Sequence, residues 1–207
     1  NSRNASSWNI GRIIEQKIAF FIEDDIIQKD AVTGVRGDDI HPDDLNWMET
    51  SEYVVWEGQK IINNGEYKAA LEYFQDALSN AFGEKEKSEY LFYTGYCYAL
   101  LGDKKLALQT LSKVDAQEDT AYYGHYVLLK GHLLAESLSF QKALDLADGY
   151  LKKFPAGDYA QAVNFLSAFC YNRLNNIEKA IEHYQLALET EGFDRPGPAW
   201  YCIGRCY

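Results

Sequence analysis

The sequence predicts an all-α protein, a right-handed α-solenoid built from helix-turn-helix repeats. Three observations support this prediction. A small residue returns every 36 or 37 positions, an alanine follows each of the first four at a fixed distance, and only 4 of the 207 residues are proline. Because proline interrupts helices, so few prolines are compatible with long helical segments. The 47% of apolar residues can form a buried core without metal or disulfide.

The repeat is defined by small residues at Gly58, Gly95, Gly131, Ala168 and Gly204. Twelve residues after each of the first four stands an alanine, at Ala70, Ala107, Ala143 and Ala180. Four positions further on are Phe74, Leu111, Ala147 and Tyr184, and seven positions after the alanine are Ala77, Val114, Tyr150 and Ala187. Small residues at two fixed places let two paired helices approach closely, and we expect the bulkier side chains to fill the gap to the next unit.

Each unit is interpreted as two amphipathic helices and a tight turn. In the first unit, helices are predicted over 53–63 and 68–81, with a turn at 64–67. The second unit is predicted to turn at 101–103 and the fourth at Asn175 and Asn176, where glycine or asparagine favours a turn. Because the period is long, we expect extended loops between units at 82–87 and 190–196.

The chain is predicted to have two parts. Residues 1–50 form an N-terminal helical cap and loop, with a helix over 8–28 and a loop over 30–41, and they carry ten acidic against five basic residues. Residues 51–207 form the array, with repeats at about 51–87, 88–123, 124–160 and 161–196 and a partial repeat at 197–207. The N-terminal part either covers the open face of the first repeat or belongs against a neighbouring domain or partner.

This pattern resembles the tetratricopeptide repeat (TPR) family. The residues that match it best are Gly65, Tyr67, Ala70, Phe74, Ala77, Leu78, and Tyr171, Leu174, Ile177, Ala180, Tyr184, Ala187, Leu188. The resemblance covers roughly 51–207, with a period two to three residues longer than the family's 34. Because the fifth copy has no second helix to cover it, we expect a longer array or further chain beyond the end.

The resemblance implies that the first helices of the repeats line a concave groove that holds a peptide or a helix of a partner protein. The residues predicted to bind the partner are Phe92, Tyr96, Leu128, His132, Phe165, Phe169, Asn172, Arg173, Tyr201 and Arg205. Arg173 and Arg205 would orient an acidic or C-terminal group. Two alternatives remain open: segment 8–28 fills the groove, or these side chains pack on one another.

Charge and motifs exclude several other functions. A net charge of −11 disfavours nucleic acid and anionic lipid, and no apolar run reaches the roughly 18 residues that span a membrane. Because no catalytic motif is present, the protein is predicted not to be an enzyme and to need no cofactor. Cys97, Cys170 and Cys206 are expected to be buried fillers, and the Cys202 and Cys206 pair lacks further ligands for a metal.

His125, His132 and Glu136 are spaced to share one helix face, where a hydrogen bond or a weak ion pair is the simplest role. The function predicted from all these features is a protein-binding scaffold or adaptor. The alternatives are a self-assembling repeat module, with a homo-oligomer as its product, or the targeting or regulatory part of a longer bacterial envelope protein. A loose resemblance of the third and fourth repeats to outer-membrane assembly lipoproteins weakly favours the bacterial envelope, and the compartment otherwise stays open.

Overall fold

The computed structural model describes residues 51–117, 121–189 and 203–204. Within these ranges the regular structure is entirely α-helical, without a strand. The helices are α1 Ser51–Asn63, α2 Tyr67–Asn80, α3 Glu84–Leu100, α4 Lys104–Leu111, α5 Tyr123–Glu136, α6 Phe140–Lys153, α7 Ala160–Arg173 and α8 Ile177–Glu189. The prediction of an all-α, helix-turn-helix array is therefore confirmed.

The described residues divide into two compact units, and the boundary in sequence falls between Tyr122 and Tyr123. The N-terminal unit holds hairpin 1 (α1 and α2) and hairpin 2 (α3 and α4), and the C-terminal unit holds hairpin 3 (α5 and α6) and hairpin 4 (α7 and α8). The predicted cap at 1–50 and most of the partial fifth repeat lie outside the described residues.

Every hairpin turns through one residue with left-handed backbone geometry. These residues occupy the same repeat position and are Gly65 (φ +78°), Gly102 (φ +83°), Leu138 (φ +60°) and Asn175 (φ +61°). Glycine and asparagine adopt this conformation readily, whereas for leucine it costs about 1–2 kcal/mol. Sequence alone missed the third turn because leucine is not a turn-forming residue.

The small repeat residues mark places where another side chain comes very close. A methyl group added at Gly58 would lie 2.1 Å from Phe74 Cζ, and one at Gly95 would lie 2.8 Å from Leu111 Cγ. In hairpin 3 the neighbour is different, because a methyl at Gly131 would lie 2.5 Å from a δ-carbon of Leu166 on α7. The glycines thus allow close packing, but the side chain that fills the space varies.

The connection between hairpins 1 and 2 is shorter than predicted. Helix α2 ends at Asn80 and α3 already begins at Glu84, so most of the loop expected at 82–87 is helical. The extra residues of the repeat lengthen α3, which has 17 residues. Acidic side chains at Glu84 and Glu86 favour this early start, since they lie in the positively polarised first turn.

Buried polar groups at the same end of the hairpins connect successive helices. Ser88 Oγ donates to the carbonyl of Asp115 at 3.0 Å, and Gln161 Nε2 donates to the carbonyl of Ala187 at 3.2 Å. The Tyr122 hydroxyl donates to Ser88 Oγ at 3.1 Å. These bonds satisfy groups that would otherwise be buried without a partner.

Candidate functional site

The first helix of each of hairpins 2, 3 and 4 is buried on most of its sides. In α3, for example, seven of the eight residues from 90 to 97 are buried, including Phe92 and Tyr96. A helix with one face open to solvent would alternate buried and exposed positions. Helices α5 and α7 show the same near-continuous burial.

Five of the predicted partner-binding residues are buried side chains. They are Phe92, Tyr96, Leu128, His132 and Phe165. Phe92 stacks on Tyr122 with ring centroids 5.0 Å apart, and Phe165 packs edge-on against Tyr184 at 5.4 Å. The expectation that these residues present exposed surface is therefore corrected, because their apolar area is already removed from water.

The histidines also have partners within the fold. His132 Nε2 lies 3.6 Å from a Glu136 carboxylate oxygen, one helical turn away. The Tyr159 hydroxyl lies 3.3 Å from the ring nitrogens of His125. The Tyr159 ring also covers Gly124, where a methyl group would lie 2.1 Å from Tyr159 Cδ2. The three residues that shared one predicted face thus take part in two different contacts.

The accessible part of the predicted set lies at the C-terminal end of α7. Phe169 and Asn172 are half-buried and Arg173 is exposed. Phe169 meets Phe140 edge-on, with ring centroids 6.4 Å apart, and the Arg173 guanidinium carbon lies 5.7 Å from the Phe140 ring centroid. The structure therefore brings an aromatic pair and a cation together at the turn end of hairpins 3 and 4.

Two exposed leucines flank this group. Leu138, two residues before Phe140, exposes 69% of its surface, and Leu174, the residue after Arg173, exposes 45%. We call Leu138, Phe140, Phe169, Arg173 and Leu174 the turn-edge patch. Sequence reasoning selected only Phe169 and Arg173 of these five as binding residues; aligning the repeats would have shown Leu138 at a glycine position. Tyr201 and Arg205 lie outside the described residues.

Arg173 gives the turn-edge patch a positive charge in a chain that is acidic overall. Of the charged residues, 31 are acidic and 20 are basic. Within residues 51–117 and 121–189, Arg173 forms no ion pair, and its guanidinium is placed over the face of Phe140. An arginine on an aromatic face keeps its charge while presenting planar donors that fit a carboxylate.

A second polar cluster connects α7 and α8. The His183 ring nitrogen Nδ1 lies 2.9 Å from Asn164 Oδ1, and the imidazole stacks on Tyr171 at 5.3 Å. Burial lowers the pKa of His183 from its ordinary value of 6.5, because the imidazolium loses hydration. Glu182 and Asp148 oppose this shift, and Lys179 adds to it.

Cys97 and Cys170 are free, fully buried thiols in α3 and α7. Burial raises the pKa of each thiol to about 12. Such thiols behave as small apolar fillers, since the reactive thiolate is almost absent at neutral pH. The Cys202 and Cys206 pair lies outside the described residues.

Over the described ranges, no three His, Cys, Asp or Glu side chains are grouped so that they could hold a metal ion. None of the helices described there has the length and apolar character required to cross a membrane.

Comparison with known proteins agrees with the geometry. A family model described as tetratricopeptide repeat matches residues 62–121. No curated protein matches the chain in sequence. The resemblance to tetratricopeptide repeats is confirmed by this match together with the solved structures that share the fold.

Three solved structures show the similarity. The apo form of RapI has a TM-score of 0.61 and 18% identity. The similarity covers 75% of this chain and 47% of RapI, so this chain spans about half the length of RapI. MamA MSR-1 has a TM-score of 0.58 and 19% identity, with 76% of this chain and 84% of MamA covered. MamA from Desulfovibrio magneticus RS-1 has a TM-score of 0.57 and 21% identity, with 76% and 93% covered. At these identities the similarity establishes the fold.

Proposed function

We propose that this protein is a non-catalytic scaffold or adaptor that binds a segment of a partner protein. The observation that carries the proposal is the accessible end of α7, where Phe169, Asn172 and Arg173 combine apolar surface, an amide and a charge. Interfaces commonly gain most of their affinity from such aromatic and arginine side chains. The tetratricopeptide-repeat fold supports the proposal, because its arrays hold peptides or helices.

The binding surface that we propose is narrower than the one expected from sequence. Phe169, Asn172 and Arg173 would contact the partner directly. The buried members, such as Phe92 and Phe165, would instead maintain the packing that positions these three. Tyr201 and Arg205 remain proposed contacts on the basis of their repeat positions.

The proposal is tested by affinity capture from the native source, with captured proteins identified by mass spectrometry. Wild type is compared with Phe169→Glu and with Leu186→Glu, a matched change at an exposed leucine of α8. We expect a protein that is retained by wild type and Leu186→Glu and is lost with Phe169→Glu. Circular dichroism checks that all three proteins are equally helical.

Identical capture by wild type and Phe169→Glu would refute binding through this end of α7. Sedimentation of the same samples over a range of concentrations tests the alternative of self-assembly. A mass that rises with concentration would favour a repeat module that builds a homo-oligomer, whereas the net charge of −11 opposes it.

A further inference from the structure

The turn-edge patch contains a leucine that folding energetics do not explain. Leu138 holds a φ of +60°, a conformation that disfavours residues with a branched or bulky side chain. The equivalent turns use Gly65, Gly102 and Asn175, which fit this geometry at lower cost. Because Leu138 is 69% exposed, little burial offsets the strain. A strained and exposed apolar residue is typical of a functional contact.

Together with its neighbours, Leu138 forms a surface that contains both apolar side chains and a positive charge. The Phe140 ring contacts both the Phe169 ring and the Arg173 guanidinium, so these three side chains form one group. Leu138 precedes Phe140 by two residues, and Leu174 follows Arg173 directly. The patch thus combines apolar side chains at the two turns with one positive charge, which lies over the Phe140 ring and is adjacent in sequence to Leu174.

The charge indicates the chemistry of the ligand. Arg173 makes no ion pair with any residue in the described parts of a chain that is acidic overall. A carboxylate placed on this arginine would form the strong, two-pronged hydrogen bonds that guanidinium groups favour. A basic ligand would meet a repulsive charge at the same place.

We infer that the turn-edge patch binds a segment of a partner protein in which an apolar side chain stands beside an aspartate or glutamate. This inference rests on the proposed function and specifies the partner's chemistry. The carboxylate pairs with Arg173, and the apolar side chain lies against Leu138, Leu174 and the exposed part of Phe169. The surface shares Phe169 and Arg173 with the groove expected from the first helices, and it extends beyond that groove to the hairpin turns at Leu138 and Leu174.

The probe is a random peptide library displayed on phage and selected on the immobilised full chain. We expect enriched peptides with Leu, Ile or Phe next to Asp or Glu. The affinity of the most enriched synthetic peptide is then measured by fluorescence anisotropy. Leu138→Asn and Arg173→Glu should each weaken binding by about tenfold or more, whereas Leu101→Asn, at an exposed leucine of another turn, should leave it unchanged.

Leu138→Asn offers an internal check, because asparagine already occupies this backbone geometry at Asn175. Relief of strain should raise the melting temperature by about 2–4 °C while binding falls. Loss of binding therefore cannot be attributed to unfolding. Leu138→Met, which keeps an apolar side chain, should retain most of the affinity.

Three results would overturn the inference: no enriched peptide, enriched peptides without acidic residues, or unchanged affinity in Leu138→Asn. If enriched peptides respond to Phe169→Glu but not to Leu138→Asn or Arg173→Glu, partner binding stands and the turn-edge site is wrong. If neither selection nor capture from the native source finds a ligand that depends on Phe169, the proposed function fails as well.

Discussion

Hairpins 1 and 2 differ from hairpin 3 in how they fill the space beside their small residue. In the first two, the filler belongs to the same hairpin: Phe74 covers Gly58 and Leu111 covers Gly95. In hairpin 3 the equivalent of these fillers is Ala147, which is too small, and Leu166 of hairpin 4 takes the space beside Gly131. A repeat can therefore keep its spacing while the packing contact moves to a neighbour.

Because Leu166 fills the space beside Gly131, the packing of hairpin 3 depends on hairpin 4. Leu166 belongs to one buried cluster with Ala135, Ala143, Leu144 and Cys170, which come from both hairpins of the C-terminal unit. Phe74 instead is fully buried between its own hairpin and the next, stacked on Tyr93 at 4.9 Å. Four experiments, ordered from the largest expected effect to the smallest, test the packing, helix capping and electrostatics of these hairpins.

The largest effect is expected for Leu166→Ala, which removes a buried side chain shared by two hairpins. The cavity should lower the free energy of unfolding by about 3 kcal/mol, measured by urea denaturation. Adding Gly131→Ala to this variant should lower the free energy of unfolding only slightly further, because the new methyl group enters the space vacated by Leu166. Strictly additive losses in the double mutant would contradict direct packing between these two positions.

Gly58→Ala should destabilise the N-terminal unit by about 2 kcal/mol, since the methyl would lie 2.1 Å from a fully buried ring. Gly149→Ala is the matched control in α6, where a methyl meets nothing within 4 Å. The control should stabilise the protein by about 1 kcal/mol, because alanine is the better helix former. Equal effects of the two substitutions would refute the close approach at Gly58.

The helix caps offer a smaller test. Asp103 accepts a hydrogen bond from the Leu106 amide at 3.0 Å and caps α4, whereas Ser139 makes no such bond at the start of α6. Asp103→Ala should cost about 1 kcal/mol and Ser139→Ala clearly less, as measured by thermal unfolding. A larger loss at Ser139 would contradict the assigned cap.

The smallest expected effect is a pH dependence at His183. Because its pKa is lower in the folded protein than its ordinary 6.5, the unfolded chain binds the proton more readily. Stability should therefore decrease as the pH falls from 7 through 6.5 toward the folded pKa, and this contribution should be absent in His183→Gln. Unfolding midpoints measured at closely spaced pH values determine this contribution. If the midpoints of wild type and His183→Gln change in parallel with pH, His183 makes no such contribution.

The repeat spacing predicted the hairpins because small residues and turn residues recur in phase, as at Gly58 and Gly65. Spacing could not identify which side chain fills the space beside each small residue. Beside Gly131 this side chain is Leu166 of the next hairpin rather than Ala147 of the same hairpin, and only three-dimensional packing shows this. It also could not distinguish an exposed face from a buried one, which is why Phe92 and Phe165 were expected at the surface. At the candidate site, Phe169 and Arg173 followed from repeat register, but Leu138 occupies a turn that contains no turn-forming residue.

The tyrosines that precede α5 and α7 each contact a residue near the start of the preceding repeat, and so link the two ends of one chain segment. Tyr122 bonds to Ser88 and Tyr159 contacts His125, and both pairs are 34 residues apart in sequence. Under a pulling force, each contact must break, together with the packing of the helices between its members, before that part of the chain can extend fully. Full extension of the chain between the two members of a pair would add at most about 110–120 Å, so the two segments would contribute nearly equal lengths on stretching.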